Sequence, residues 1–299
     1  MTDQTAGEGR PGGIRELASR TIPVARALFY PCALVLVGYL AYRAARDTDF
    51  SSLHYWALAA AFPAALVWWV CLARGWAALV DDGAPRAAVA SWCRTQVARY
   101  LPGGIWAVVA RATTVRGRTR DKLAAVTAEN VVVLLVSLAV GAAWATVHDV
   151  RWLPAVLLLA VPLLGSRWLE RRTLLGRRQV RGAAVSYTVA YLAYGLVGLL
   201  VQLAVSGLHD PTYPLYVAGA SCVAWAVGLV VVFAPSGVGV RELVYVWMLS
   251  GLYPRAELTA AAVTSRLVTV LAELTVLAVV SRPRRRHAPG AERAQPGDD

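Results

Sequence analysis

Long apolar stretches recur along this chain, and most are close to the roughly 20 residues that an α-helix needs to cross about 30 Å of hydrocarbon. Short polar segments, many of them rich in arginine, separate these stretches. The pattern predicts an all-α fold, a polytopic membrane helix bundle of about eight spans. The predicted spans are 27–45, 53–73, 123–147, 152–168, 183–206, 213–234, 238–252 and 258–280.

Two segments depart from this pattern because they place proline and glycine inside apolar sequence. They contain Pro102-Gly103-Gly104 and Pro235-Ser236-Gly237-Val238-Gly239. The region 87–114 around the first break is predicted to be a re-entrant or interfacial helical hairpin, and the short span after the second break a half-helix. A helix broken within a bilayer usually lines a cavity, because its freed backbone groups would otherwise go unsatisfied in hydrocarbon. The two broken or re-entrant elements therefore predict a site.

The distribution of basic residues predicts the topology. Arginine and lysine concentrate in 10–26, 116–122, 167–181 and 282–286, and the predicted outside loops around 47–52, 148–151, 208–212 and 253–257 carry few. Because cytoplasmic loops carry an excess of these residues, a multi-pass protein of the cell membrane with both termini in the cytoplasm is predicted. Eight crossings fit this charge pattern only if 87–114 enters and leaves on one side. We expect flexible cytoplasmic tails at 1–26 and 282–299 around a single membrane domain at 27–281.

Composition narrows the class of protein. A hydrophobic content of 58% argues against a soluble domain. The net charge of +12 does not predict nucleic-acid binding, because the basic residues lie in loops and not on one face. The four cysteines and four histidines have no paired spacing, so no metal or other cofactor is expected. Tyr187, Tyr191 and Tyr194 recur at helical spacing and are predicted to anchor their span at the membrane interface.

Charged residues inside the predicted spans are the candidates for function, because each costs roughly 2.5–3.5 kcal/mol to insert. Arg111 follows Pro102 by nine residues, and Arg241 follows Pro235 by six. A restarted helix end and a guanidinium together would bind a phosphate or carboxylate. The predicted substrate-binding set is Pro102, Gly103, Gly104, Arg111, Glu129, Pro235, Gly237, Gly239, Arg241, Glu242, Arg266 and Glu273.

A structural role is the alternative for these charged residues. Glu129 and Glu273 would then be counter-ions that neutralise Arg111 and Arg266 within the bundle. Arg241 and Glu242 would pair with charges on neighbouring helices. Because Arg266 and Glu273 are seven residues apart, they are also predicted to share a helix face.

The segment 233–242, Phe-Ala-Pro-Ser-Gly-Val-Gly-Val-Arg-Glu, resembles a signature of the lysylphosphatidylglycerol synthetase transmembrane-region family of flippase-like membrane proteins. Tyr100-Leu101-Pro102-Gly103-Gly104 followed by Arg111 looks like a second element of that family, and Ala128-Glu129-Asn130 looks like a third. Arg266 is similar in position to an arginine of the family's last span. The resemblance implies an all-helical membrane protein with two re-entrant elements, related to the part that moves modified lipids between leaflets.

The leading hypothesis is therefore a translocator of an anionic phospholipid or lipid-linked intermediate, which binds the headgroup at the broken-helix ends. The alternative is a non-catalytic accessory or scaffold subunit of a membrane glycosyltransferase or synthase. A membrane enzyme acting on a lipid phosphate is disfavoured, because no predicted span carries a nucleophile with a base or paired carboxylates. Since the chain ends shortly after its last predicted span, we expect no acyltransferase domain and no enzymatic activity.

Overall fold

A computed structural model describes residues 42, 46, 53–80, 83–100, 106–114, 119–147, 149–164, 171, 175–207, 213–231, 237 and 239–281. Regular secondary structure in these ranges is helical throughout. Both predicted tails and nearly all of the first predicted span lie outside the described residues, as do Pro102, Gly103, Gly104 and Pro235.

The described ranges contain nine helices. Two 3₁₀ turns, Val97–Tyr100 and Val150–Trp152, accompany them. In chain order the helices are α1 Tyr55–Val80, α2 Pro85–Gln96, α3 Trp106–Thr114, α4 Thr119–Thr146, α5 Leu153–Leu164, α6 Arg177–Ser206, α7 Pro214–Val230, α8 Val240–Leu249 and α9 Arg255–Ser281.

Four of these helices are long and apolar enough to cross a membrane, namely α1, α4, α6 and α9. The predicted all-α class is confirmed, and the protein has the features of a multi-pass membrane protein. The shorter α7 has 17 residues and is also strongly apolar. By contrast, α3 has nine residues and α8 has ten, so each rises only about 14–15 Å.

Contacts between helix ends define two ends of the bundle. The backbone N–H of His54, just before α1, donates to Ala204 O near the end of α6 over 3.0 Å. At the other ends of these helices, Gln179 Nε2 donates to Leu79 O over 3.2 Å, so α1 and α6 are antiparallel. We call the end that holds the start of α6, with Arg177, Arg178 and Arg181, the basic end.

Helices α4 and α7 also run in opposite directions. Near the end of α4, the ring of Trp144 packs on Gly195 in the second half of α6. The start of α7 lies against the same part of α4, because Gly219 packs on Gly141 and Ala145. Helix α4 therefore begins at the basic end, and α7 runs back toward it.

Small residues let these helices approach closely around a buried aromatic core, which is typical of helix packing in membranes. Tyr187 and Tyr191 have no exposed surface, and the Tyr187 ring fills the space that Gly75 leaves on α1. Tyr191 packs against the Trp225 ring of α7, with ring centroids 5.1 Å apart. The prediction that the tyrosines anchor the protein at the membrane interface is therefore wrong for these two, because their face of α6 is the one that contacts α1 and α7.

We expect Gly75→Ala to destabilise the bundle. Its Cβ would overlap with the buried Tyr187 ring, and overpacking of a core typically costs about 1–3 kcal/mol. Thermal unfolding in detergent micelles, followed by tryptophan fluorescence, measures the change. The matched control is Gly251→Ala, whose Cβ would meet no atom within 4 Å. Equal stability of the two variants would contradict the proposed close packing of α1 on α6.

Candidate functional site

Residues that follow both predicted breaks line one cavity of about 140 Å³, which we call the arginine cavity. Helix α3 follows the first break, and Gly237 with helix α8 lies in and after the second. Helices α1, α2, α4 and α7 and the 3₁₀ turn after α2 also contribute to the wall. The residues of this cavity used below are Trp92, Arg99, Arg111, Glu129, Trp225, Gly228, Gly237 and Arg241.

Arg111 and Glu129 form a buried ion pair that joins α3 to α4. The second oxygen of the Glu129 carboxylate accepts a hydrogen bond from Trp92 Nε1 on α2, over 2.7 Å. The guanidinium of Arg111 also lies over the Trp92 ring, 5.2 Å from its centroid. Each charge therefore has a close partner, as burial at low dielectric requires.

Arg99 and Glu273 form a second ion pair, with 2.6 Å between Arg99 Nη2 and Glu273 Oε2. The pair joins the 3₁₀ turn after α2 to the distant helix α9. The guanidinium of Arg99 also lies over the Trp69 ring of α1, 4.6 Å from its centroid. One arginine thus connects three separate parts of the chain.

Arg266 and Glu242 form a third ion pair, which joins α9 to α8 over 2.8 Å. The other carboxylate oxygen of Glu242 accepts the backbone N–H of Gly239 over 2.7 Å, at the start of α8. Gly239 has a φ of +83°, a conformation that favours glycine. The protein's own carboxylate therefore partly covers the start of α8, the helix end that the sequence predicted to bind a phosphate or carboxylate.

Arg241 differs from the other three arginines. Over the described ranges its guanidinium forms no ion pair. The guanidinium lies over the Trp225 ring, 4.9 Å from the centroid. It also lines a second, smaller cavity of about 50 Å³, together with Glu242 and Arg266.

Two glycines make room for the Arg241 side chain. A Cβ at Gly228 on α7 would overlap with Arg241 Cγ. A Cβ at Gly237 would lie 2.7 Å from Arg241 Nε, and Gly237 also has a positive φ of +66°. Any larger side chain at these positions would therefore displace the arginine.

The structure brings most of the described predicted residues together. Arg111, Glu129, Gly237 and Arg241 line the arginine cavity, whereas Glu242 and Arg266 line the second cavity. The predicted pairing of Glu129 with Arg111 is confirmed. The pairing of Glu273 with Arg266 is wrong, because Glu242 holds Arg266 and Glu273 holds Arg99.

Several residues of the site were not among the sequence candidates. Arg99 follows Trp92 by seven residues, which is the two-turn spacing that places both on one helix face. Arg94 lies between them on the exposed face of α2. Helical spacing within 87–114 could therefore have separated an inward arginine from an outward one. For Trp225 and Gly228, the sequence carries no signal beyond their place in an apolar helix.

The arrangement suits the binding of an anion. Among the described residues, Arg99, Arg111, Arg241 and Arg266 face three glutamates, so this charged cluster retains one positive charge, at Arg241. Nearby on α2, burial and then the charge of Glu273 raise the pKa of the Cys93 thiol to about 11. A thiol with this pKa is protonated at neutral pH and is a poor nucleophile.

We expect Arg111→Gln and Glu129→Gln each to destabilise the protein by about 3–5 kcal/mol, because each leaves one buried charge without its partner. The double variant should lose less than the sum of the two single losses. Unfolding in detergent micelles measures all three free energies. The control is Arg151→Gln, which removes the exposed pair of Arg151 and Asp149 at 3.9 Å and should change stability little. Strict additivity of the two buried substitutions would contradict the pairing.

Comparisons of the chain with family models, with curated proteins and with solved structures found no match.

Proposed function

We propose that this membrane protein binds the anionic headgroup of a phospholipid or lipid-linked intermediate in the arginine cavity and moves that lipid between leaflets. The observation that carries the proposal is Arg241. It is an arginine without a carboxylate partner in the described structure, in a cavity lined by residues that follow both predicted breaks. The resemblance of 233–242 to a flippase-like family points the same way.

Helix lengths support two re-entrant elements within an arrangement of about eight spans. Helices α2, α3 and α8 have 12, nine and ten residues, so each rises about 14–18 Å and is too short for a hydrocarbon core of about 30 Å. Helix α2 follows the last residue of α1, and α3 precedes the first residue of α4. Both the last turn of α1 and the first turn of α4 lie at the basic end of the bundle. A hairpin that enters and leaves there accounts for this geometry.

The depth of the cavity suits a translocator. Glu129 lies six residues inside the candidate span Leu123–Thr146, which corresponds to about 9 Å along the helix. Moving an anionic headgroup to this depth in lipid alone would cost several kcal/mol of free energy, as it does for charged side chains. A preformed positive site at that depth lowers this cost.

The size of the cavity limits what it holds. A volume of about 140 Å³ is below the 300–1,000 Å³ of typical sites for complete small molecules. It is enough for a phosphate or carboxylate group, while the lipid tails would remain in the bilayer. Arg99 and Arg111, each paired with a glutamate, would then hold the walls of the cavity, and Arg241 would bind the anionic group.

We expect Arg241→Gln to slow protein-dependent lipid exchange by about tenfold or more, because a hydrogen bond to a charged group contributes about 1.5–3 kcal/mol. The measurement is leaflet exchange of fluorescent phosphatidylglycerol in proteoliposomes, read by chemical quenching of the outer leaflet. The control is Arg94→Gln, which removes an exposed arginine of α2 and should leave the rate unchanged. Wild-type exchange in Arg241→Gln would refute the proposal.

We expect Gly228→Ala to weaken anion binding although it changes no charge, because the new methyl group would displace the Arg241 side chain. Binding of a short-chain phosphatidylglycerol in detergent, followed by tryptophan fluorescence, tests this. Gly251→Ala is again the control. If Gly228→Ala bound this lipid normally while Arg241→Gln did not, the charge of Arg241 would matter but its described position would not.

A scaffold role is the competing proposal. The three ion pairs favour it, because an arginine that only stabilises the fold requires no partner beyond its glutamate. The two proposals differ at Arg241. A scaffold predicts unchanged lipid exchange in Arg241→Gln, together with retained co-purification of a membrane glycosyltransferase or synthase.

A further inference from the structure

A lateral groove of about 650 Å³ runs between α4, α5 and α6, and its described lining residues differ from those of the arginine cavity. Its α6 wall is a stripe at helical spacing that includes Arg177, Arg181, Val185 and Leu192. Ala160 comes from α5, and Trp144 of α4 lies at the far end beside Gly195. The groove is several times larger than the arginine cavity.

The two arginines lie at one end of an otherwise apolar surface. Arg177 and Arg181 are exposed in the first turns of α6. Among the other lining residues that the structure describes, Thr188 is the polar one, and its hydroxyl donates to Ala184 O over 2.8 Å within α6. The groove therefore offers positive charge at one end and hydrocarbon contacts along the rest.

The length of α6 places that charge at the level of the lipid headgroups. Its 30 residues rise about 45 Å, which matches a bilayer of about 40–45 Å with both headgroup layers included. If the helix is centred, its first turns lie beside the headgroups of one leaflet. From Arg181 to Leu192 the helix rises about 16 Å, close to the apolar depth of a single leaflet.

The groove is open toward the surrounding lipid. Val185 is 65% exposed and Leu192 41% exposed, and both belong to a helix of membrane-crossing length. Exposed apolar residues of this kind are expected to contact acyl chains when a bilayer surrounds them.

We infer that this lateral groove is a binding site for one anionic phospholipid of the leaflet at the basic end. The phosphate lies at Arg177 and Arg181, and an acyl chain follows α6 toward Trp144. The inference does not depend on transport, because none of these residues lines the arginine cavity. A lipid held here would fill the space between α4, α5 and α6 and keep these helices apart.

Tryptophan quenching in nanodiscs tests this inference on the full chain. The probes are phosphatidylglycerol and phosphatidylcholine with brominated acyl chains, each added as a minor fraction to unlabelled phosphatidylcholine. The difference between the wild type and Trp144→Phe isolates the quenching of Trp144. Each arginine near an anionic headgroup favours binding. We therefore expect brominated phosphatidylglycerol to reach half-maximal quenching of Trp144 at a concentration roughly tenfold or more below that of brominated phosphatidylcholine.

The double variant Arg177→Gln/Arg181→Gln should abolish this preference while Trp144 remains quenched by both lipids. The double variant Arg94→Gln/Arg255→Gln, which removes two exposed arginines elsewhere, should keep it. Equal quenching by both probes in the wild type would overturn the anionic headgroup site. Absence of any Trp144 quenching would overturn the groove as a lipid site and point to a protein segment that covers it. A size-exclusion profile like that of the wild type shows that each variant is folded.

Discussion

The ion pair of Arg111 and Glu129 fastens a short helix, α3, to a long one, α4, where little water is available to solvate either charge. Helix α3 has only nine residues, so it cannot anchor itself by crossing the bilayer. This pair and Trp92, which donates to the same carboxylate, help to hold the helix in place. Because a lone buried charge is far more costly than a paired one, the pair fixes where α2, α3 and α4 meet.

The cost of burying a charge also shows how Arg241 differs from the neighbouring arginines. Arg99 and Arg266 each reach a glutamate on another element, whereas Arg241 lies over an indole ring between two glycines. An aromatic face stabilises a cation but does not cancel its charge. Among the described residues, the charged cluster therefore retains one positive charge, at Arg241, which lines both cavities. A purely structural network would more simply be neutral.

The arginine side chains of the arginine cavity and those of the lateral groove have different surroundings. In the cavity, aromatic rings and carboxylates enclose the guanidiniums and leave room only for a small anionic group. In the groove, Arg177 and Arg181 are exposed at the end of a long apolar surface. The first setting suits the brief binding of a headgroup deep in the protein. The second suits a lipid that stays in its own leaflet and supports the packing of α4, α5 and α6.

The sequence alone determined the helical class and the positions of the long helices, because apolar length and arginine-rich connections report directly on a bilayer of fixed thickness. It also marked Arg111, Glu129, Arg241 and Arg266 as candidates, since a charged residue inside apolar sequence is conspicuous. Only the tertiary structure decided which charges pair, that Arg99 belongs to the site, and that Tyr187 and Tyr191 face inward. The reason is physical: a span's hydrophobicity is a sum over its residues, whereas a partner is set by how helices distant in sequence pack.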